Sequence, residues 1–297
     1  MIFRILLALL LAVFAATAPA QRVTSIAIEA PWLGLPQVPV TLNDRVSARF
    51  IVDTAASETV MTDALIARLG IDRYGQPAHV DGATGRSPLM YYRLARLRLG
   101  DRTFRDLGAY NFPSLAAPVG ADGLLGADVL RRHVVEFDMP NAQLRLHDRR
   151  ANLLAGNARN WDIIPAYQRR DGFLIVDVTI GGLTIPALVD TGAVQNLVNT
   201  AAARLLGLRL VPESDSRESI TGASGHVQTM NQLDLSGFAI GTTQFGAARL
   251  GVVDLAIFET LGMGDRPAML LSAEALSSKR FVLDYPRSRL LIERTPG

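Results

Sequence analysis

Two stretches decide how this chain folds: Phe50-Ile51-Val52-Asp53-Thr54-Ala55-Ala56 and Ala187-Leu188-Val189-Asp190-Thr191-Gly192-Ala193. Each is an apolar run that stops on an acid, followed by Thr and two small residues. The apolar run reads as a buried strand. A lone carboxylate at the end of a buried strand is costly. Two such endings in one chain predict that Asp53 and Asp190 face each other.

Working outward, the frames around both stretches repeat. Val38 to Leu42, Asn43-Asp44 and Val46 to Val52 precede the first acid; Phe173 to Ile180, Gly181-Gly182 and Leu183 to Val189 precede the second. Each reads as strand, tight turn, strand, with turn residues suited to positive φ. After each acid comes a short helical segment, 63–71 and 200–208, with Asp63 and Thr200 as expected N-caps and Gly70 and Gly207 as expected stops. To this point the two copies align at a constant offset of 137 residues. The Gly-punctuated turns Val80 to Gly85 and Ile220 to Gly225 match at 140, and Leu97 to Gly100 and Phe238 to Gly241 at 141. Leu124 to Leu130 matches Leu270 to Leu276 at 146, as Phe137-Asp138-Met139-Pro140 matches Leu283-Asp284-Tyr285-Pro286. The offset grows only between elements, as loop insertions would make it grow. The chain therefore reads as all-β: two homologous lobes over 22–150 and 160–297, each with one short helix, related by a pseudo-twofold axis and joined by the polar stretch 149–160. Asp138 and Asp284, beside Pro in the repeat, read as turn acids.

Composition narrows the function. Of 30 basic residues only Lys279 is lysine, and 28 acids offset them, so no nucleic-acid-binding patch emerges. Four scattered His and no Cys give no metal-ligand spacing, and no cofactor motif is present. Residues 1–20 read as a signal peptide: Arg4, the apolar run Ile5 to Ala16, then Ala18-Pro19-Ala20. The expected mature protein starts at Gln21 and is exported, periplasmic or secreted, with membrane attachment only if that segment is retained.

The acid stretches resemble the Asp-Thr-Gly-Ala motif of the aspartic peptidases in their retropepsin-like form. The second matches fully; the first has Ala55 where that family has Gly. The resemblance implies two acid-protease-like β-barrel lobes, with Asp53 and Asp190 holding one catalytic water between them. It implies that Thr54 and Thr191 bond to the opposite lobe's backbone, and that Gly192 admits backbone N–H groups to Asp190. If position 55 needs positive φ, Ala55 costs on the order of 1 kcal/mol or more; at ordinary φ it is harmless. The turns carrying Gly82, Ala83 and Gly85, and Gly222, Ala223 and Gly225, resemble flaps with Gly at the tip that close on peptide. The Leu124-Leu125-Gly126 block resembles a segment packed beneath the acid loop, and Ser272 departs from its Gly. The implied activity is an aspartic endopeptidase acting on peptide or protein substrates. The alternative is an inactive peptide-binding module on the same fold, suggested by Ala55 and Ser272 alone.

Overall fold

The computed structural model describes residues 22–29, 34–112, 120–208, 217–222 and 226–294. The expected leader, Ala223 and Gly225 lie outside these. Short strands dominate, with helices of at most seven residues among the described ones.

Both repeat hairpins form around the turns the sequence marks. Gln37–Leu42 pairs with Val46–Val52 across the three residues Asn43, Asp44 and Arg45, the first two at φ 48° and 58°. Leu174–Ile180 pairs with Leu183–Asp190 across Gly181 and Gly182, at φ 56° and 82°. In the two-residue Gly181-Gly182 turn, left-handed backbone at both residues matches the twist of the flanking strands. The helices Asp63–Leu69 and Thr200–Leu205 also form, but their N-caps sit one residue earlier than expected. Thr62 Oγ1 accepts from Leu65 N–H (3.2 Å) and Asn199 Oδ1 from Ala202 N–H (2.9 Å). Thr62 ends a short strand and Asn199 directly follows one, so the extended backbone a cap requires is already in place there. Gly70, at φ 58°, stops the first helix, and Gly207, at φ 65°, follows the end of the second.

In the first half, six strands close into a barrel in the order Gln37–Leu42, Val46–Val52, Gly123–Leu125, Val60–Thr62, Arg102–Phe112, Tyr91–Leu99. The matching strands of the second half keep this order within a ten-stranded sheet. There the counterpart of Tyr91–Leu99 is broken at Ser236-Gly237 into Val227–Leu235 and Phe238–Ile240. Gly237 runs so close to Phe245 O that a Cβ would lie 2.7 Å from it.

Six further strands form one sheet shared by the halves, ordered Val23–Ala27, Gln143–His147, Val134–Asp138, Arg280–Asp284, Arg289–Glu293, Trp161–Pro165. At its centre Glu136 lies opposite Val282, and these two are repeat equivalents at the 146 offset. The approximate twofold axis therefore passes through this pair. Phe137 and Phe281 stack beside it with centroids 4.7 Å apart. Asp138 holds Asn141 and Arg145, while Asp284 holds Arg287 and Arg289, the roles expected of turn acids. The 149–160 connection is pinned rather than loose: Ala151 is buried and its carbonyl accepts from Arg287 (2.8 Å).

Candidate active site

Each acid motif sits where a buried strand runs out. Val46–Val52 lies parallel to Gly123–Leu125, and Asp53 N–H donates to Leu125 O (3.0 Å). Leu183–Asp190 lies parallel to Met269–Ser272 in the same way. Past the acids, the two loops lock to one another. Thr54 Oγ1 donates to Val189 O (2.7 Å) and Thr191 Oγ1 to Val52 O (2.5 Å). Each hydroxyl also accepts the other's backbone N–H, at 3.0 and 3.3 Å. Both threonines are buried, so all four bonds are shielded from competing water.

This reciprocal ring brings the acids together. Asp53 Oδ1 accepts from Ala55 and Ala56 N–H, both at 2.9 Å; Asp190 Oδ1 accepts from Gly192 N–H at 2.8 Å. The loop that follows Asp190 lies directly against the carboxyl of Asp53: a Cβ on Gly192 would fall 2.5 Å from its Cγ. Burial raises Asp190 well above the usual carboxylate range, and the charge of Asp53 raises it further against the pull of the Gly192 and Ala193 amides. Burial raises Asp53 too, but the Ala55 and Ala56 amides oppose it. Two like charges in a buried site cannot both ionise cheaply, so the pair shares one proton. Of the two, Asp190 is the harder to ionise, since the charge of Asp53 adds to burial there while the Ala55 and Ala56 amides favour charge on Asp53. Tyr285, buried nearby, stays neutral: burial and the charge of Asp53 both raise its phenol.

Neither departure from the motif disturbs this arrangement. Ala55 lies outside the positive-φ residues, so its Cβ carries no backbone strain. Gly192 also has ordinary φ; what requires glycine there is space, since a Cβ would lie 2.5 Å from Asp53 Cγ. Beneath the loops, Ala127 N–H donates to Ala56 O (2.8 Å) and Ala273 N–H to Ala193 O (3.1 Å), so both copies of the Leu-Leu block pack where expected. Gly126 is needed because a Cβ would lie 2.6 Å from the Glu58 backbone. Ser272 instead donates through Oγ to Asn196 Oδ1 (3.2 Å) and caps the helix Ala273–Leu276.

The first turn expected to be a flap lies in the hairpin Ala78–Gly82 with Gly85–Leu89. Its tip is Ala83-Thr84; the expected tip glycines, Gly82 and Gly85, form the last cross-strand pair instead. A two-residue turn needs its closing pair extended, which puts the glycines beside the tip. The tip crosses to the second half, where Ala83 O accepts from Ile257 N–H and Thr84 O from Gln228 Nε2, both at 3.3 Å. Thr84 lies against the bare Cα of Gly222, and the His226 ring against that of Gly85. His226 Nε2 also meets Ser87 Oγ at 3.1 Å. The second hairpin, Arg217–Thr221 with Val227–Leu235, thus meets the first.

Two apolar clusters flank the acids. One joins Ala55, Ala193, Ala83 and Ile220 to Met230, Ile257 and Phe258; the other joins Ala56, Val194, Val80 and Tyr110 to Leu89 and Phe112. The sequence reading missed Thr84, His226, and Ile257 on the helix Ala256–Thr260. That helix offered three adjacent apolar residues in a five-residue span, too short a pattern to register. Among the described residues no group of three His, Asp or Glu is placed to hold a metal.

The family model described as aspartyl protease matches the chain twice, over residues 38–129 and 176–275. No curated protein matches the chain.

Proposed function

Because the chain belongs to the aspartyl protease family, we propose that it is an aspartic endopeptidase that cleaves extended polypeptides through one water shared by Asp53 and Asp190. The observation that carries this reading is the pairing of two repeat-related carboxyls raised unequally in pKa, one on each side of a closed threonine ring. In the proposed reaction the water oxygen bonds to the peptide carbonyl carbon and one of its protons passes to Asp53. The proton of Asp190 passes to the carbonyl oxygen, giving a neutral gem-diol. As the C–N bond breaks, Asp53 returns its proton to the departing amine and a diol hydroxyl returns one to Asp190. The pair is then singly protonated again and ready for another water.

The Ala55 and Ala56 amides support this assignment of roles, because they stabilise the charge on the group that must accept a proton. The hairpin tip over the acids supports a peptide substrate: its carbonyls accept from Ile257 and Gln228 of the second half, donors that an extended backbone can replace. The apolar clusters on both sides of the acids fit apolar side chains next to the cleaved bond.

The test is hydrolysis of a peptide library across pH. A bell-shaped profile with its maximum below neutral is expected, since the singly protonated pair is the active form. Asp53→Asn and Asp190→Asn should each lower kcat by at least about a thousandfold while the protein stays folded. Turnover that survives either substitution, or a complete absence of cleavage from acid to neutral pH, defeats the reading.

A further inference from the structure

The two halves of this protein act as controls for one another, and one difference between them bears on the substrate. In the first half Val60 pairs with Tyr110, which pairs with Tyr91. In the second half Leu197 pairs with Gly251, which pairs with Gln232. Glu58 follows Asp53 by the same spacing as Gln195 follows Asp190. Glu58, Tyr91 and Tyr110 therefore hold the places that Gln195, Gln232 and Gly251 hold in the other half.

In the second half this place is filled and neutral. Gln232 Nε2 donates to Gln195 Oε1 (3.0 Å), and Gln195 Nε2 to Met230 Sδ (2.9 Å). A Cβ on Gly251 would lie 2.6 Å from Leu197 and 2.9 Å from Met230. In the first half it is aromatic and negative. Tyr91 and Tyr110 stand edge to face, 5.1 Å apart, and both are half-buried, as is Glu58. Among the described residues Glu58 has no ion pair. Its charge adds to burial in raising both phenols, and in pushing Asp128 up to about 6. Arg93, the nearby cation, lies instead over Tyr74 at the outer end of the tyrosine row and pairs with Asp106 (3.2 Å).

Tyr110 sits with Ala56 and Val194 of the two acid loops and Val80 of the 78–89 hairpin. A peptide passing Asp53 under that hairpin runs alongside it. We propose that Glu58, with the rings of Tyr91 and Tyr110, forms a subsite on the first half of the cleft that selects an arginine or lysine side chain of the substrate. A half-desolvated carboxylate attracts a cation more strongly than one in bulk water, and tyrosine rings add cation–π attraction along the aliphatic stem. The matching subsite of the second half, closed by its amide pair, makes no such selection, so the preference falls on one side of the scissile bond only.

This inference rests on the cleft being the peptide site, and the experiment separates the two. Peptides carrying arginine or its neutral isostere citrulline at each successive position are assayed at about pH 6, where exposed carboxylates are ionised. Wild-type protein should favour arginine at one position by about tenfold in kcat/KM. Glu58→Gln, which supplies the second half's residue type, should bring that ratio close to one, and Glu58→Lys should invert it. The same peptides are titrated calorimetrically into Asp53→Asn protein. Arginine-selective binding that depends on Glu58, without hydrolysis by the wild type, would retain the subsite and overturn the peptidase. Hydrolysis with an arginine-to-citrulline ratio unchanged by Glu58→Gln at every position overturns the subsite and leaves the peptidase standing.

Discussion

Ala55 and Gly192 occupy equivalent places in the repeat, yet they answer to different constraints. The backbone at both is ordinary, so the usual reason for glycine is absent. What remains is contact: the Gly192 Cα faces the carboxyl of Asp53 so closely that a methyl would displace that acid. Overpacking of this kind costs about 1–3 kcal/mol. Gly192→Ala should therefore lower kcat/KM by about tenfold or more, whereas Ala55→Gly should stay within about threefold of the wild type. Steady-state kinetics on both variants checks this; equal losses would mean that the two positions are under the same constraint. The sequence displayed both residues but could not separate a φ requirement from a space requirement. That distinction depends on where the other half of the molecule puts its carboxylate. The caps were misread for a similar reason: Asp63 and Thr200 have capping chemistry, but Thr62 and Asn199 have it together with the extended backbone that a cap needs.

Among the elements, the strands Val134–Asp138 and Arg280–Asp284 carry the contact on the axis, with Glu136 at its centre. Glu136 accepts from Arg145 and His147, both at 2.6 Å, and from Arg280 at 2.8 Å. Burial alone would raise its carboxyl, but the His147 and Arg280 interactions outweigh burial and hold it at about 2. A carboxyl lowered in the fold stabilises it above the unfolded value near 4.5, and that contribution, roughly 3 kcal/mol, drains away as pH falls toward 2. His133 steepens the same slope. Burial and Arg102 hold it at about 4, so the fold loses stability as pH drops from 6.5 to 4 and the unfolded chain gains a proton that the folded one refuses. Glu136→Gln should cost about 3 kcal/mol at pH 7 and almost nothing near pH 2. Denaturant melts at several pH values would read this out, and a constant difference would refute it. The hairpins, helices and turn acids were legible in the repeat because each is a local pattern. The cross-axis pairing of Glu136 with Arg280 was not, since no local periodicity encodes which strands of two similar halves meet. The break at Gly237 escaped notice as well, because a glycine within a strand pattern looks much the same whether it bends the strand or ends it.

On the scale of the whole molecule, the shared sheet is divided evenly. Val23–Ala27, Val134–Asp138 and Gln143–His147 come from the chain before the 149–160 connection, and Trp161–Pro165, Arg280–Asp284 and Arg289–Glu293 from the chain after it. A cut within that connection severs no strand. Two separately produced fragments, 21–155 and 156–297, should therefore reassemble into an active pair whose rate rises with the concentration of each, while either fragment alone supplies one acid and no dyad. Mixing titrations with a peptide substrate test this, and fragments that never recover activity would show that the connection is needed for docking. The seam between them is also directional. Two copies of the first fragment would set Glu136 against Glu136 on the axis, each with only its own Arg145 and His147, whereas unlike fragments place Val282 opposite and add Arg280. The Arg280 contact thus works as a mating type: it favours each half's complement over its twin, and exchanging the charges at 136 and 280 would change which fragment accepts which.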